Sequence, residues 1–215
     1  MKTNIIRELF GGSILRKLPK KQIVLYEGDP IENLYYIVNG YVKVYNILGN
    51  GTERTIFIYG PGDIFPFTSY LTGSGLARYF YECMTEVEMC VASPENVEAK
   101  VRGNFELGDA LIHYTNSVSQ QFLSRIDILA VNDARRKVIA LLAFLVDKTS
   151  DGDGQSRITI PLTTQDIANM CGLTRETTSV QLSRLRKSGI LSGSRNLVVN
   201  MAKLEKLKPR LAISH

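Results

Sequence analysis

Apolar and polar positions follow two different rhythms along this chain. From Leu18 to Ser93 β-branched and aromatic residues come in short runs, IVLYEG, LYYIVNGYVKVYNI, ERTIFIYGPGDIF and RYFYECMTEVEMCVAS, broken by glycine and proline. Such runs predict strands, and Gly28-Asp29-Pro30, Asn39-Gly40, Leu48-Gly49-Asn50-Gly51 and Gly60-Pro61-Gly62-Asp63 supply the turn residues that hairpins need. The spacing suggests a jelly roll or β barrel. The rhythm then changes to three- and four-residue intervals in LGDALIHYTNSVSQQFLSRIDILAV, where Leu107, Leu111, Tyr114, Val118, Phe122, Ile126 and Leu129 mark one long amphipathic helix. Asn132-Asp133 interrupts that pattern. Asp133 can cap the following helix, ARRKVIALLAFLVDK, which places a hinge there for effector signals to cross.

The segment from Thr159 to Val199 predicts a helix, a three-residue turn, a second helix and a β wing. Thr163 is a good N-cap with Asp166 three residues on, and Ile167, Ala168 and Cys171 give the first helix, about 164 to 171, an apolar face. Gly172 follows where a left-handed backbone is cheap only for glycine. Thr174 can cap the second helix, with Leu173, Thr178, Leu182 and Leu185 inward and Arg175, Glu176, Thr177, Ser179 and Gln181 outward. A second helix so joined enters the major groove of duplex DNA. Phosphate contacts are expected from Thr163, Gln165, Thr174, Thr177 and Arg195.

Charge strengthens this picture. The chain of 215 residues carries a formal net charge of +5, and from Arg175 onward nine Lys and Arg residues stand against Glu176 and Glu205 alone. No apolar run approaches the ~20 residues that cross a bilayer and no signal-peptide pattern opens the chain, so a cytoplasmic location and no membrane partner are expected. Cys83, Cys90 and Cys171 show no CxxC spacing, which predicts buried thiols rather than a disulfide framework or zinc site. Two separated histidines, His113 and His215, with scattered carboxylates offer no convergent catalytic cluster, and no enzyme is expected.

Glu27-Gly28-Asp29, Leu34-Tyr35-Tyr36-Ile37-Val38-Asn39-Gly40 and Gly62-Asp63-Ile64-Phe65 resemble the glycine framework of cyclic-nucleotide-binding β rolls. With the helix-turn-helix segment, the chain over about residues 18 to 199 resembles the Crp/Fnr family of bacterial transcriptional regulators. The resemblance implies an α+β architecture: an N-terminal double-stranded β-helix (jelly roll) sensor over residues 1–104, a long dimerisation helix over 105–131 and a C-terminal winged helix-turn-helix over 132–215. It also implies a homodimer joined through Leu111, Tyr114, Val118, Phe122, Ile126 and Leu129, reading a roughly palindromic DNA site. RNA polymerase is a further expected partner.

The family's phosphate-binding cassette, Gly-Glu and then Arg-Ser about ten residues later, is altered here. Alignment on Gly62-Asp63 puts Pro66 and Phe67 at the Gly-Glu positions and Ala77 and Arg78 at the Arg-Ser positions. Lost with them are a backbone donor, the ribose-binding carboxylate and the bidentate phosphate partner, and Arg78 displaced by one residue along a strand faces the other way. Gln121 and Phe122 replace the family's base-reading Thr-Ser pair. Weak or absent cyclic-nucleotide binding is therefore expected, with Phe65, Pro66, Phe67, Tyr70, Arg78, Gln121 and Phe122 as a candidate effector pocket, filled or apolar. No cofactor is predicted: an iron–sulfur form needs about four cysteines near the N-terminus, haem a suitable ligand in the roll. An unidentified small-molecule effector stays open.

On the DNA side the resemblance carries base reading onto Arg175 and Glu176, which suit guanine and the cytosine amine. Many members place an arginine four residues after that glutamate, where this chain has Val180; contact with a thymine methyl is expected there, with Ser179 and Gln181 as adjustable polar contacts. The rival is a ligand-binding or protein-interaction module without sequence-specific DNA reading.

Overall fold

The computed structural model describes residues 2–149, 156–193 and 196–207. It divides into two compact units, residues 1–47 with 56–121 and residues 48–55 with 122–215. The division falls inside the long helix, not at Asn132-Asp133, and the segment Leu48–Thr55 goes with the second unit. Hydrophobic periodicity cannot report that partition, because it depends on which distant residues pack together.

Helix α1 (Lys2–Glu8) precedes strands β1 (Ile14–Leu18), β2 (Ile23–Leu25), β3 (Leu34–Asn39), β4 (Val42–Ile47), β5 (Glu53–Tyr59) and β6 (Ile64–Phe65). After the short α2 (Phe67–Leu71) come β7 (Phe80–Cys83), β8 (Val87–Ala92) and α3 (Pro94–Arg102). The strands form two four-stranded sheets, ordered β1-β8-β3-β6 and β2-β7-β4-β5. That interleaved order is the jelly roll expected of the strand spacing. The sheets meet through aromatic rings: Phe65 of the first stacks on Tyr81 of the second at 5.5 Å and on Tyr59 at 5.9 Å, with Tyr35 on its other side at 5.0 Å. Gly40 has a φ of 88°, and a Cβ there would lie 2.2 Å from the Glu86 carbonyl oxygen. Only glycine closes the β3–β4 turn.

Helix α3 starts at Ser93, whose hydroxyl accepts from the Asn96 amide, with Pro94 in the first turn. Asn104 then caps α4 (Phe105–Ala130), accepting from the amides of Glu106 and Leu107. Asp133 accepts from the Arg136 amide and starts α5 (Ala134–Thr149) as expected. The second unit continues with β9 (Arg157–Ile158), α6 (Thr164–Cys171), α7 (Arg175–Lys187), β10 (Leu191–Ser192), β11 (Leu197–Val199) and α8 (Met201–Glu205). Strands β10, β11 and β9, in that order, form the antiparallel wing. Among the described residues no helix is long and apolar enough to cross a membrane.

Helix α4 carries two seams of the same spacing. Leu107, Ala110, Val118, Arg125 and Ile128 are buried, and Tyr114 of the same stripe donates its hydroxyl to the Ile64 carbonyl while accepting from the Ile64 amide. Phe105, Ile112, Leu123 and Ile126 lie exposed on the other side, between 52% and 92%. The long-helix expectation therefore needs correction in its facing. Tyr114 is engaged by the roll at Ile64 and Val118 is buried; Leu111, Phe122 and Leu129 are half-buried, and only Ile126 of the expected six is exposed.

Candidate DNA-binding interface

The reading head is set by short-range chemistry. Thr163 and Asp166 form a reciprocal capping box: the Thr163 hydroxyl accepts from the Asp166 amide at 3.1 Å, and the Asp166 carboxylate accepts from the Thr163 amide at 2.7 Å. Gly172 ends α6 in the left-handed region at φ 63°, and its amide donates back to the Ala168 carbonyl. Thr174 caps α7 by accepting from the Thr177 amide at 3.1 Å, and its hydroxyl donates to that of Thr177. Ile167, Ala168, Met170 and Cys171 of α6, with Thr178, Leu182 and Leu185 of α7, are buried where the two helices meet.

Arg175, Glu176, Ser179 and Val180 share one exposed stripe at the start of α7, with Val180 48% exposed. Gln181 does not belong to it. The expected outward contact is 8% exposed, and its Oε1 has no partner among the described residues. At 100° per residue, position 181 falls opposite the middle of the arc spanned by 175, 176, 179 and 180, and so turns to the buried side with Leu182 and Leu185. Thr163, Gln165 and Thr174 are exposed and Thr177 half-buried, the two threonine hydroxyls at Thr163 and Thr174 already engaged in their caps, and Gln165 donates to Asn169. Arg195 lies outside the described residues. Arg175 and Arg186 line one groove with Thr163, Thr164 and Gln165, and neither arginine has a carboxylate partner among the described residues.

The jelly roll and the winged helix-turn-helix are each matched by a family model: Cyclic nucleotide-binding domain over residues 15–104 and Crp-like helix-turn-helix domain over residues 136–207. Relatives match this chain over most of their own length. A global nitrogen regulator from Nostoc sp. is 27% identical over 195 residues, covering 88% of this chain and 87% of its own. The nitrogen fixation regulation protein FixK of Rhizobium meliloti is 27% identical over 182 residues, 85% of this chain and 80% of its own. The chain belongs to the Crp/Fnr family. It is a Crp/Fnr-type transcriptional regulator, and its fold matches that of FixK2 from Bradyrhizobium japonicum with a TM-score of 0.79 at 24% identity, over 93% of this chain and 99% of that one.

The expected effector residues do not converge. Phe65, Pro66 and Phe67 are buried, Phe65 in the aromatic stack and Phe67 against Tyr114 at 6.3 Å. Tyr70 donates its hydroxyl to Glu98 of α3, which raises its pKa. Ala77 is buried while Arg78 is exposed; both precede β7 in irregular backbone, so the strand alternation expected of Arg78 does not set its direction. Gln121 lines a separate cavity of about 340 Å³ with Ile6, Asp63, His113, Tyr114 and Ser117, and Phe122 belongs to the second unit. Desolvation pushes the Tyr81 phenol up to about 12, which marks how dry the roll interior is.

All three thiols are buried, as the sequence leads one to expect. Burial pushes Cys83 up to about 11 and Cys171 up to about 12. Among the described residues no group of histidine, cysteine and carboxylate side chains could hold a metal ion.

Proposed function

We propose that this Crp/Fnr regulator binds a roughly palindromic DNA site as a homodimer in which Arg175, Glu176, Ser179 and Val180 meet base edges, without a cyclic nucleotide in the roll. The single observation that carries it is the exposed stripe of those four side chains at the N-terminal end of a correctly capped α7. Arginine pairs bidentately with guanine, glutamate accepts from the cytosine amine, and valine favours a thymine methyl. Thr163, Gln165, Thr174, Thr177 and Arg195 serve the phosphates. Duplex DNA, a second copy and RNA polymerase are the partners, the compartment is the cytoplasm, and no cofactor or catalytic step is involved.

The second copy docks on the outer seam of α4. Phe105, Asp109, Ile112, Asn116, Ser119, Leu123, Ile126 and Ala130 are all exposed and recur at alternating intervals of four and three, the repeat of a two-stranded coiled coil. Asn116 in such a seam favours the parallel in-register pair, where the two asparagines meet in one core layer. Parallel pairing carries both reading heads to the same end of the dimer.

The test is selection from a random DNA library with purified protein, no added effector and near-physiological salt. A two-fold symmetric motif is expected. Enrichment without a motif would overturn effector-free reading.

A further inference from the structure

One cation in the second unit is buried out of reach of water. Arg125 of α4 is 4% exposed, and arginine is rarely so buried unless its donors are used. Its Nη2 donates to the Met170 carbonyl in the last turn of α6 at 2.8 Å and to the Thr55 carbonyl at 3.4 Å, and its guanidinium carbon lies 5.7 Å from the centre of the Phe144 ring on α5. Burial lowers its pKa from the usual arginine value, a mark of how fully it is desolvated. Met170 offers one of the four terminal carbonyls that α6 cannot satisfy internally, at the negative end of the helix dipole.

Neighbouring contacts hold the same corner. Asn169 donates to the Glu53 carboxylate at 3.3 Å, and the Arg54 guanidinium approaches Gly172 so closely that a Cβ there would lie 3.1 Å from its nitrogen. The turn between α6 and α7 is thus gripped by Arg125 on one side and by residues 53–55 on the other, all within one unit. On the opposite face of the same turn of α4, Leu123 and Ile126 are 52% and 60% exposed on the outer seam. A single helical turn presents a seam outward and a cation to the reading head inward.

Stability alone does not account for a charge at this place. An apolar side chain of similar volume is often as stable or more so, and the best-attested use of buried polar groups is to fix one register among several. We propose that Arg125 is a positioning residue for DNA recognition: its hydrogen bond from α4 to the end of α6 fixes the angle between dimer seam and reading helix, and so the half-site spacing the homodimer accepts. The proposal rests on the palindromic, α4-mediated dimer described above. In such a dimer the two α7 helices must sit about one DNA turn apart, so a tilt of the reading head appears as a change in preferred spacing.

The experiment uses the full chain as wild type, Arg125→Met and Arg125→Lys. The probes are duplexes carrying the wild type's own selected half-sites, with the central spacer varied one base pair at a time, and one duplex with a single half-site. Folding and dimerisation are followed by circular dichroism and sedimentation. Arg125→Met is expected to fold, to dimerise and to bind the single half-site as wild type does, while its preference for the best spacer over the next falls about tenfold. Arg125→Lys keeps the charge but loses the fork, and an intermediate profile is expected. A spacer profile for Arg125→Met that superimposes on wild type overturns the proposal, whatever happens to overall affinity. So does failure of both variants to fold, which would make Arg125 a folding residue. If the wild type selects no palindrome, the dimeric reading has failed at the first step and the proposal falls with it.

Discussion

Val180 stands on the exposed stripe of α7 at the position where an arginine would be able to read guanine. Val180→Arg supplies a bidentate donor, and the selected motif is expected to gain a guanine at one position of each half-site, with about 1–3 kcal/mol of discrimination. An unchanged motif would mean that residue 180 faces no base. Its neighbour Gln181 behaves oppositely, because it is buried with an Oε1 that has no partner among the described residues. Gln181→Leu removes a desolvated carbonyl, so the melting temperature should hold or rise while the motif stays the same. The thiols follow the same burial logic. With Cys83 held at about 11 and Cys171 at about 12, both are protonated at neutral pH. A chromogenic disulfide reagent should find almost no fast-reacting thiol in the native protein and all three cysteines in denaturant; fast native reaction at Cys171 would contradict the packing of α6.

At the scale of elements, α4 makes a double dissociation available. Leu123→Glu puts a charge in the outer seam without touching the roll, so sedimentation should report monomer with little loss of thermal stability. Tyr114→Phe removes the hydroxyl that serves both the amide and the carbonyl of Ile64. It should cost about 1–3 kcal/mol of stability and leave the dimer intact. The two outcomes exchanged would mean that the seams are assigned backwards. The sequence makes the helix itself plain, because a three-four period is local, yet it does not say which of two interleaved stripes with that period faces the roll. Tyr114 looks like a good seam residue until Ile64 is known to wait beside it. The reading head is more legible, since Thr163 with Asp166, Gly172 and Thr174 act within four residues of themselves. Gln181 misleads because a polar residue type is an uncertain guide to facing, whereas its angle to the middle of the 175, 176, 179 and 180 arc is a firm one. Ser93-Pro94 is a readable start for α3; Lys2–Glu8 has no comparable signal for α1, whose end is held by Lys100 donating to the carbonyls of Glu8, Leu9 and Gly11.

For the whole molecule, the sensor and the reading head make separate demands. The roll has the fold of a nucleotide-binding domain, but Phe65, Tyr59 and Tyr81 occupy its interior as a stack. Titration calorimetry with cyclic AMP should therefore show no binding, and Phe67→Glu with Ala77→Arg should not create it, because two restored side chains do not clear three rings. The DNA half is governed by charge. Nine cations against two acids from Arg175 onward, doubled in a dimer, make counterion release a large part of the affinity. If each dimer neutralises about 6–10 phosphates, affinity should fall about 10³–10⁵-fold between roughly 50 and 200 mM salt. Specific and nonspecific duplexes should differ by about 10³-fold or more at either salt. If Gln165 meets a phosphate and no base, Gln165→Ala should weaken both duplexes by a similar factor and leave the motif alone. A shallow salt dependence with no preference between duplexes would instead describe a module that uses its winged helix to hold a protein.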